Sequence, residues 1–194
     1  MTKSDALQTE GIPMGRWARF YDLICTVGGL GTGFKRRIVR LAELTPEERV
    51  LDVCCGTGVL TCLAARQAAG VVGIDAAPEM IDVARAKAAR QDLAVDFRVA
   101  LIEAIPFPDG HFDVAFTTLI IHCLPPAVLR AGLREVLRVL KPGGRLLVAD
   151  FDREGQLGGL LREVGFAEVK PLGKAWLLAV WLFGRVALWE ARKA

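Results

Sequence analysis

The fold is decided by the stretch VLDVCCGTG, Val50 to Gly58, in which a run of apolar residues leads into two closely spaced glycines. The apolar run predicts a strand over 50–53, and an Ala- and Leu-rich segment predicts a helix over 59–69. A strand that turns sharply into a helix presents backbone N–H groups to a ligand. Gly56 and Gly58 tolerate unusual φ and ψ angles and carry no Cβ that would block that approach.

Two acidic residues accompany this turn. Asp52 precedes the end of the first strand, where it either orients the turn or receives the ammonium group of an amino-acid-like ligand. Asp75 ends a second predicted strand, over 71–74, and follows Gly56 by 19 residues. That spacing is close to the ~20 residues at which a carboxylate meets both hydroxyls of a ribose. The pattern therefore predicts a cofactor site with a ribose at Asp75.

Two alternatives remain for these residues. In the first, the glycines only make a tight connection and Asp75 caps the helix that Pro78 opens. In the second, the ligand is a dinucleotide such as NAD, which prefers a third small residue where this chain has Thr61. Thr61 therefore argues against NAD.

Beyond the turn, short apolar runs alternate with helix-patterned segments, as in βαβ units of a parallel sheet. We predict an α/β fold, Rossmann-like, with a seven-stranded, mostly parallel sheet and helices on both faces. The predicted elements that follow the first strand and helix, in chain order, are strand 71–74, helix 78–90, strands 95–99 and 112–117, helix 126–140, strand 145–149, helix 156–164, and strands 167–169 and 186–191. Two further helices, 16–25 and 35–44, precede them.

Composition limits the function classes. The chain has 194 residues, 53% of them hydrophobic, and a net charge of +3, which is too balanced to favour nucleic acid. The five cysteines lack the paired spacing of a zinc site, so we expect free thiols, no metal and a cytoplasmic location. The first residues lack the apolar core of a signal peptide.

At four motifs the chain resembles the class I methyltransferases that depend on S-adenosylmethionine (SAM), in the type-11 group. That group includes ubiquinone/menaquinone C-methyltransferases and bacterial phospholipid N-methyltransferases. The four motifs occur in the family's order. They are VLDVCCGTG, GIDAAPEMIDVAR from Gly73, EAIPFPDGHFDVAF from Glu103 and EVLRVLKPGGRLLVAD from Glu135.

The resemblance implies a role for each matching residue. It places the methionyl end of SAM against Asp52, Cys54, Gly56 and Gly58, the ribose on Asp75, and the adenine between Ala76 and Met80. Family members usually carry an acidic residue for the adenine amine after strand three. This chain has Ala100-Leu101-Ile102 there, so the adenine is expected to contact either backbone groups or the Ile102 side chain.

Four further residues are predicted at the site. Thr117 and Thr118 correspond to positions that line the reacting methyl group. Tyr21 lies in a predicted helix, where it either covers the cofactor or only packs within the protein. His122 is the histidine near the reaction centre, either as a general base or as a packing residue of a loop. A strong base is optional, because methyl transfer needs mainly alignment and desolvation.

The acceptor is predicted to be small or lipid-like, with quinone precursors and phospholipid headgroups as the leading choices. Nucleic-acid methyltransferases carry a D/N-P-P-Y/F motif where this chain has Thr117-Thr118-Leu119-Ile120. Residues 174–185 form an aromatic and aliphatic segment between Lys174 and Arg185, which suits peripheral membrane contact, core or a homodimer surface. Its apolar run of nine residues is too short for the ~20 of a membrane-spanning helix.

The chain is predicted to be one structural domain, with 1–45 as a helical lid or substrate segment and 46–194 as the SAM-binding part. Two rival functions remain. One is an NAD(P)-dependent oxidoreductase, and the other is a non-catalytic SAM-binding or partner-binding domain.

Overall fold

A computed structural model describes residues 25–26, 29–152, 155–175 and 186–194, and every structural statement below concerns this part of the chain. The helices are α1 (Thr32–Ala42), α2 (Val59–Ala64), α3 (Pro78–Ala89), α4 (Pro126–Val139) and α5 (Leu157–Val164), with a 3-10 turn at Ile121–Cys123. The strands are β1 (Arg49–Val53), β2 (Gly70–Asp75), β3 (Asp96–Val99), β4 (Phe112–Thr118), β5 (Leu140–Phe151), β6 (Glu168–Ala175) and β7 (Val186–Arg192).

The seven strands form one sheet in the order β3-β2-β1-β4-β5-β7-β6. The first five strands in that order are parallel, whereas β7 runs antiparallel to both of its neighbours. The chain reverses its direction across the sheet between β1 and β4. In such sheets, ligands bind at the carboxyl ends of the strands beside this switch point.

Helices cover both faces of the sheet, as predicted. One apolar cluster joins α1 and α2 to residues such as Val50 and Phe116, and another joins α4 and α5 to residues such as Leu51 and Val148. Residues of α2, α3 and β3 form a third cluster around Phe97. Because both faces are packed, the strands are nearly continuous apolar runs.

The predicted elements all occur where the structure describes them, with three notable differences in length. The strand expected over 145–149 spans Leu140–Phe151, because Leu140 already pairs with Phe112 of β4. The helix expected over 59–69 ends at Ala64. Just before β2 begins, the Ala69 N–H donates to the Pro46 carbonyl, 3.1 Å away, and not to a carbonyl of the helix. The strand expected over 167–169 extends to Ala175, because it pairs along β7 past an irregularity between Pro171 and Gly173. Pro171 suits a strand at the edge of a sheet.

The predicted lid segment, 1–45, is described only in part. The predicted helix over 35–44 starts earlier, at Thr32, and ends where Glu43 adopts a φ of 48°. Ile38 and Val39 of this helix are each 1% exposed and pack against the sheet. The described part of this segment therefore packs against the sheet, while the helix predicted over 16–25 lies outside the described residues except for Cys25.

Candidate functional site: the carboxyl ends of β1, β2, β4 and β5

The turn between β1 and α2 has the left-handed backbone that its sequence predicts. Gly56 has a φ of 54° and Gly58 a φ of 72°, and Cys54 also adopts a positive φ, of 58°. The Cys55 N–H donates to the Ile74 carbonyl, 2.9 Å away, which ties the turn to the end of β2. The turn is thus held open at the carboxyl edge of the sheet.

The two glycines serve different purposes. A Cβ on Gly56 would meet nothing within 4 Å, so this residue borders open space. A Cβ on Gly58 would lie 2.8 Å from both the Ala84 Cβ and the Phe97 ring. Gly58 is therefore required by close packing of the turn against α3 and β3, whereas Gly56 leaves room for a ligand.

Asp75 binds the turn directly. Its Oδ2 accepts the Gly56 N–H at 2.8 Å, and its Oδ1 accepts the Ala77 N–H at 3.0 Å, just before α3. Burial raises the pKa of this carboxyl, and hydrogen bonds from the backbone of Ala77, Gly56 and Ala76 oppose that rise. A carboxylate has about four lone-pair positions, so these donors leave room for a ligand. Asp75 thus forms a turn just before α3 and keeps acceptor capacity beside Gly56. It does not cap that helix in the way the structural alternative predicted, because the N-cap is Ala77 and no side chain makes a cap bond there.

Asp52 lies inside the protein, with 1% of its surface exposed. Its Oδ2 accepts the Thr61 hydroxyl at 2.5 Å, which joins the end of β1 to α2. Burial raises the pKa of Asp52 to about 6, while the Thr61 bond and the charge of Lys35 lower it. Of the two roles predicted for Asp52, this geometry favours orienting the turn.

Cys54 and Cys55 stay neutral thiols. Burial is the main reason that the pKa of each is raised above its ordinary value, and the nearby charges of Asp52 and Asp75 raise it further. A thiolate, not a thiol, is the nucleophile and the metal ligand. The pair therefore lines and supports the turn. In the described part of the chain, no group of three or more His, Cys, Asp or Glu side chains is placed to hold a metal ion.

The residues predicted around the adenine lie after β2 and β3. Ala76 is half-buried, while Met80 is 6% exposed and packs on Ala77. The Ile102 side chain is 2% exposed and packs against Gly132 of α4. A Cβ added to Gly132 would lie 2.6 Å from that side chain. Ile102 is thus a core residue, and of the two contacts predicted there the backbone is the available one.

The residues predicted near the reacting methyl group lie at the end of β4 and in the turn that follows it. Thr117 is fully buried and its hydroxyl has no partner in the described part of the chain, whereas Thr118 is half-buried. His122 lies in the 3-10 turn that follows β4, and its Nδ1 is 2.6 Å from Oδ1 of Asp150. Tyr21 lies outside the described residues.

Beside His122 runs an open groove of about 940 Å³ between the β4–α4 loop and α5. Apolar side chains line it together with charged and polar ones, of which Arg130 and Glu163 form an ion pair at 3.0 Å. The apolar lining residues are Ile121, Leu124, Pro126, Leu129, Phe151, Leu157 and Leu160. Such a groove at the sheet's carboxyl edge can take an apolar molecule next to an imidazole.

Sequence reasoning did not find Asp150, the partner of His122. An acidic residue at the carboxyl end of a strand is the same feature that singled out Asp75. Applied to the predicted strand 145–149, it would have pointed to Asp150 as well.

The chain is similar to known proteins in both fold and sequence. A solved structure, the YcgJ protein of Bacillus subtilis, superposes with a TM-score of 0.71 at 20% identity, covering 83% of this chain and 98% of that one. At this identity the likeness concerns the fold. A family model described as a methyltransferase domain matches residues 50–144, from β1 into β5.

Two curated relatives are closer in sequence. The demethylmenaquinone methyltransferase of Thermus thermophilus is 39% identical over 156 residues, which cover 78% of this chain and 70% of that protein. The ubiquinone/menaquinone biosynthesis C-methyltransferase UbiE of Ectopseudomonas mendocina is 40% identical over 146 residues, which cover 70% of this chain and 55% of that protein. The chain belongs to the class I SAM-dependent methyltransferases of the type-11 group, and its cofactor is SAM.

The chain spans less than two thirds of several of the curated relatives that it matches. Within the described residues, no helix combines the length and the apolarity needed to cross a membrane.

Proposed function

We propose that this chain transfers the methyl group of SAM to a small, lipid-like acceptor, and that the acceptor is the hydroquinone form of a quinone precursor. The observation that carries the proposal is the pairing of Asp75 with the Gly56 turn at the sheet's switch point. The names of the two curated relatives support the quinone assignment.

The residues of the turn fit SAM. Open space beside Gly56 and the remaining lone pairs of Asp75 suit a ribose, with the methionyl group along Cys54 and Gly56 and the adenine between Ala76 and Met80. When bound, SAM supplies an electrophilic methyl group on a sulfonium ion. Asp52 and Gly58 fix the conformation of the turn and do not contact the ligand. The backbone at Ile102 contacts the adenine.

The groove beside His122 suits the acceptor. The apolar side chains in its lining suit an aromatic ring with a hydrocarbon tail. A hydroquinone also has an acidic O–H proton, and its removal makes the ring carbon nucleophilic. In this proposal His122 takes that proton, Thr118 borders the reacting groups, and Thr117 supports them from the core.

Three further assignments belong to the proposal. Tyr21 covers the cofactor from the segment 1–45, residues 174–185 contact the membrane that holds the acceptor, and the protein acts at the cytoplasmic face. All but two residues of 174–185 lie outside the described residues. The alternative role for residues 174–185 is contact between two copies of the chain in a homodimer.

The test combines binding and turnover. The full chain is incubated with methyl-labelled SAM and either a tailed naphthohydroquinone in micelles or phosphatidylethanolamine vesicles, and the products are identified by mass spectrometry. Methylated naphthohydroquinone is the expected product. Methylated lipid would replace the proposed acceptor, SAM binding without any transfer would favour a non-catalytic domain, and NADH binding without SAM binding would favour an oxidoreductase.

A further inference from the structure

Asp150 holds His122 and the loop around it at the same time. This residue of β5 is 0% exposed and its two oxygens face four nitrogen atoms. Oδ2 accepts the N–H groups of Ile120 and Ile121, each at 2.7 Å. Oδ1 accepts the Phe151 N–H at 2.7 Å and lies 2.6 Å from the Nδ1 of His122. One buried carboxylate thus fixes both the backbone after β4 and the imidazole that follows.

These contacts decide which nitrogen of His122 carries a proton. Three of the four partners of Asp150 are N–H donors, which match an ionised carboxylate, because that group only accepts. Nδ1 must then donate as well, so the neutral ring carries its proton on Nδ1 and has its lone pair on Nε2. The tautomer is thereby set by a residue 28 positions away.

The ring is also fixed in orientation. The Phe151 ring meets it edge-on, with centroids 4.9 Å apart and planes at 89°. The side chain of His122 is 35% exposed, and because Nδ1 faces the buried carboxylate, Nε2 is the nitrogen on the open side. His122 and Phe151 both line the groove between the β4–α4 loop and α5. Asp150 therefore holds His122 so that Nε2 can accept a proton at the edge of that groove.

We propose that Asp150 is a positioning residue, which holds His122 in the Nδ1–H tautomer so that Nε2 takes the proton of the methyl acceptor; this rests on the proposed function. The hydroquinone O–H proton goes to Nε2, and the ring carbon bonds to the methyl carbon. The sulfur keeps the electron pair of the broken carbon–sulfur bond. The proton on the methylated ring carbon then moves to oxygen as aromaticity returns, so one proton leaves in total.

The first test reads the tautomer without turnover. Imidazole ¹⁵N chemical shifts of the full chain distinguish Nδ1–H from Nε2–H, and the chain has two histidines, so His111→Gln assigns the spectrum. We expect Nδ1–H for His122 in the wild type. An Nε2–H ring in the wild type would overturn the proposal.

Asp150→Asn provides the matched change. The amide oxygen stays with the N–H groups of Ile120 and Ile121, which are two donors, while the Phe151 N–H is one. The amide NH₂ then takes the place of Oδ1, so the Phe151 N–H loses its acceptor and Nδ1 of His122 must become an acceptor. We expect the Nε2–H tautomer, a fall in kcat of about 10²-fold or more, and an unchanged Kd for SAM. A folded variant that keeps the Nδ1–H tautomer would contradict the proposal, even if its activity is lost.

A double variant separates positioning from general support of the fold. If Asp150 acts through His122, adding Asp150→Asn to His122→Gln lowers kcat no further, because the two residues form one unit. A further large loss would show a separate role and overturn the proposal. An Nδ1–H tautomer in a wild-type chain that methylates no acceptor would instead overturn the proposed function while leaving the Asp150–His122 geometry in place.

Discussion

The Thr61 hydroxyl donates to the buried Oδ2 of Asp52 across 2.5 Å, and this bond links the strand before the glycine turn to the helix after it. In a dinucleotide site the corresponding position is small, so that helix and strand approach closely around a pyrophosphate. Here the position is occupied by a side chain that satisfies a buried carboxylate. The residue that argued against NAD therefore has a structural purpose of its own.

Removing that hydroxyl should destabilise the protein. Thr61→Val keeps the shape of the side chain but leaves Asp52 without its side-chain donor, and an unsatisfied buried acceptor costs about 1–3 kcal/mol. Urea unfolding measures the free energy of unfolding. Thr45→Val, at an exposed position, is the control and should change it little. Equal effects of the two substitutions would contradict the role of the Thr61 bond.

Asp52 should make stability depend on pH. Its pKa in the folded protein is about 6, above the ordinary 3.8, so the folded state binds its proton more tightly than the unfolded chain does. Stability contributed by this group is then present at low pH and falls as pH rises between these two values. Asp52→Asn removes the effect, so relative to this variant the wild type should lose about 3 kcal/mol across the window. A difference that stays constant in urea titrations at both ends of the window would contradict the burial argument.

Asp75 should contribute strongly to SAM affinity. Asp75→Asn removes a charge and acceptor positions beside Gly56, and hydrogen bonds to charged groups contribute about 1.5–3 kcal/mol, so affinity should fall about 10- to 100-fold. Isothermal titration calorimetry measures the Kd. Asp82→Asn on α3, where the side chain is 77% exposed, is the matched control and should bind as the wild type does. Wild-type affinity in Asp75→Asn would contradict the ribose role.

The glycines of the chain should differ sharply in their tolerance of alanine. Gly58→Ala forces a Cβ to 2.8 Å from Ala84 and Phe97 at a φ of 72°, which should cost about 2–4 kcal/mol. Gly56→Ala adds only the left-handed backbone penalty of roughly 1–2 kcal/mol, because its Cβ meets open space.

Gly159→Ala, in the exposed part of α5, also meets nothing within 4 Å and should stabilise the protein by about 0.5–1 kcal/mol. Thermal unfolding followed by circular dichroism ranks the three variants. A Gly58→Ala protein as stable as the wild type would show that the turn packs differently.

Much of the fold could be predicted from the sequence, because local patterns carry it. The apolar runs predict the strands, and Pro78 and Pro126 mark the first turns of α3 and α4. Element ends were harder to predict where a distant group decides them. The Ala69 N–H donates to the carbonyl of Pro46, which precedes β1 in the chain. Helix propensity is a local property and does not predict that bond.

The site divides in the same way. The turn, Gly56 and Asp75 follow from spacing along one βαβ unit. The contact between His122 and Asp150 does not, since it depends on the parallel pairing of β4 with β5, which sets Thr118 opposite Ala149. The sequence left either the backbone or the side chain of Ile102 as the contact to the adenine. It could not show that this side chain packs against Gly132 on α4, 30 positions away.

The position of β7 inside the sheet has a consequence for synthesis on the ribosome. β5, which carries Asp150, pairs with β7 along seven residue positions, with Asp150 opposite Ala187. A nascent chain that has emerged only as far as β6 leaves both β5 and β6 without the strand that lies between them. Such open strand edges invite pairing with other chains. Nascent chains stalled between β6 and β7 should therefore depend on chaperones that shield strand edges, and the catalytic edge of the sheet is completed only when β7 arrives.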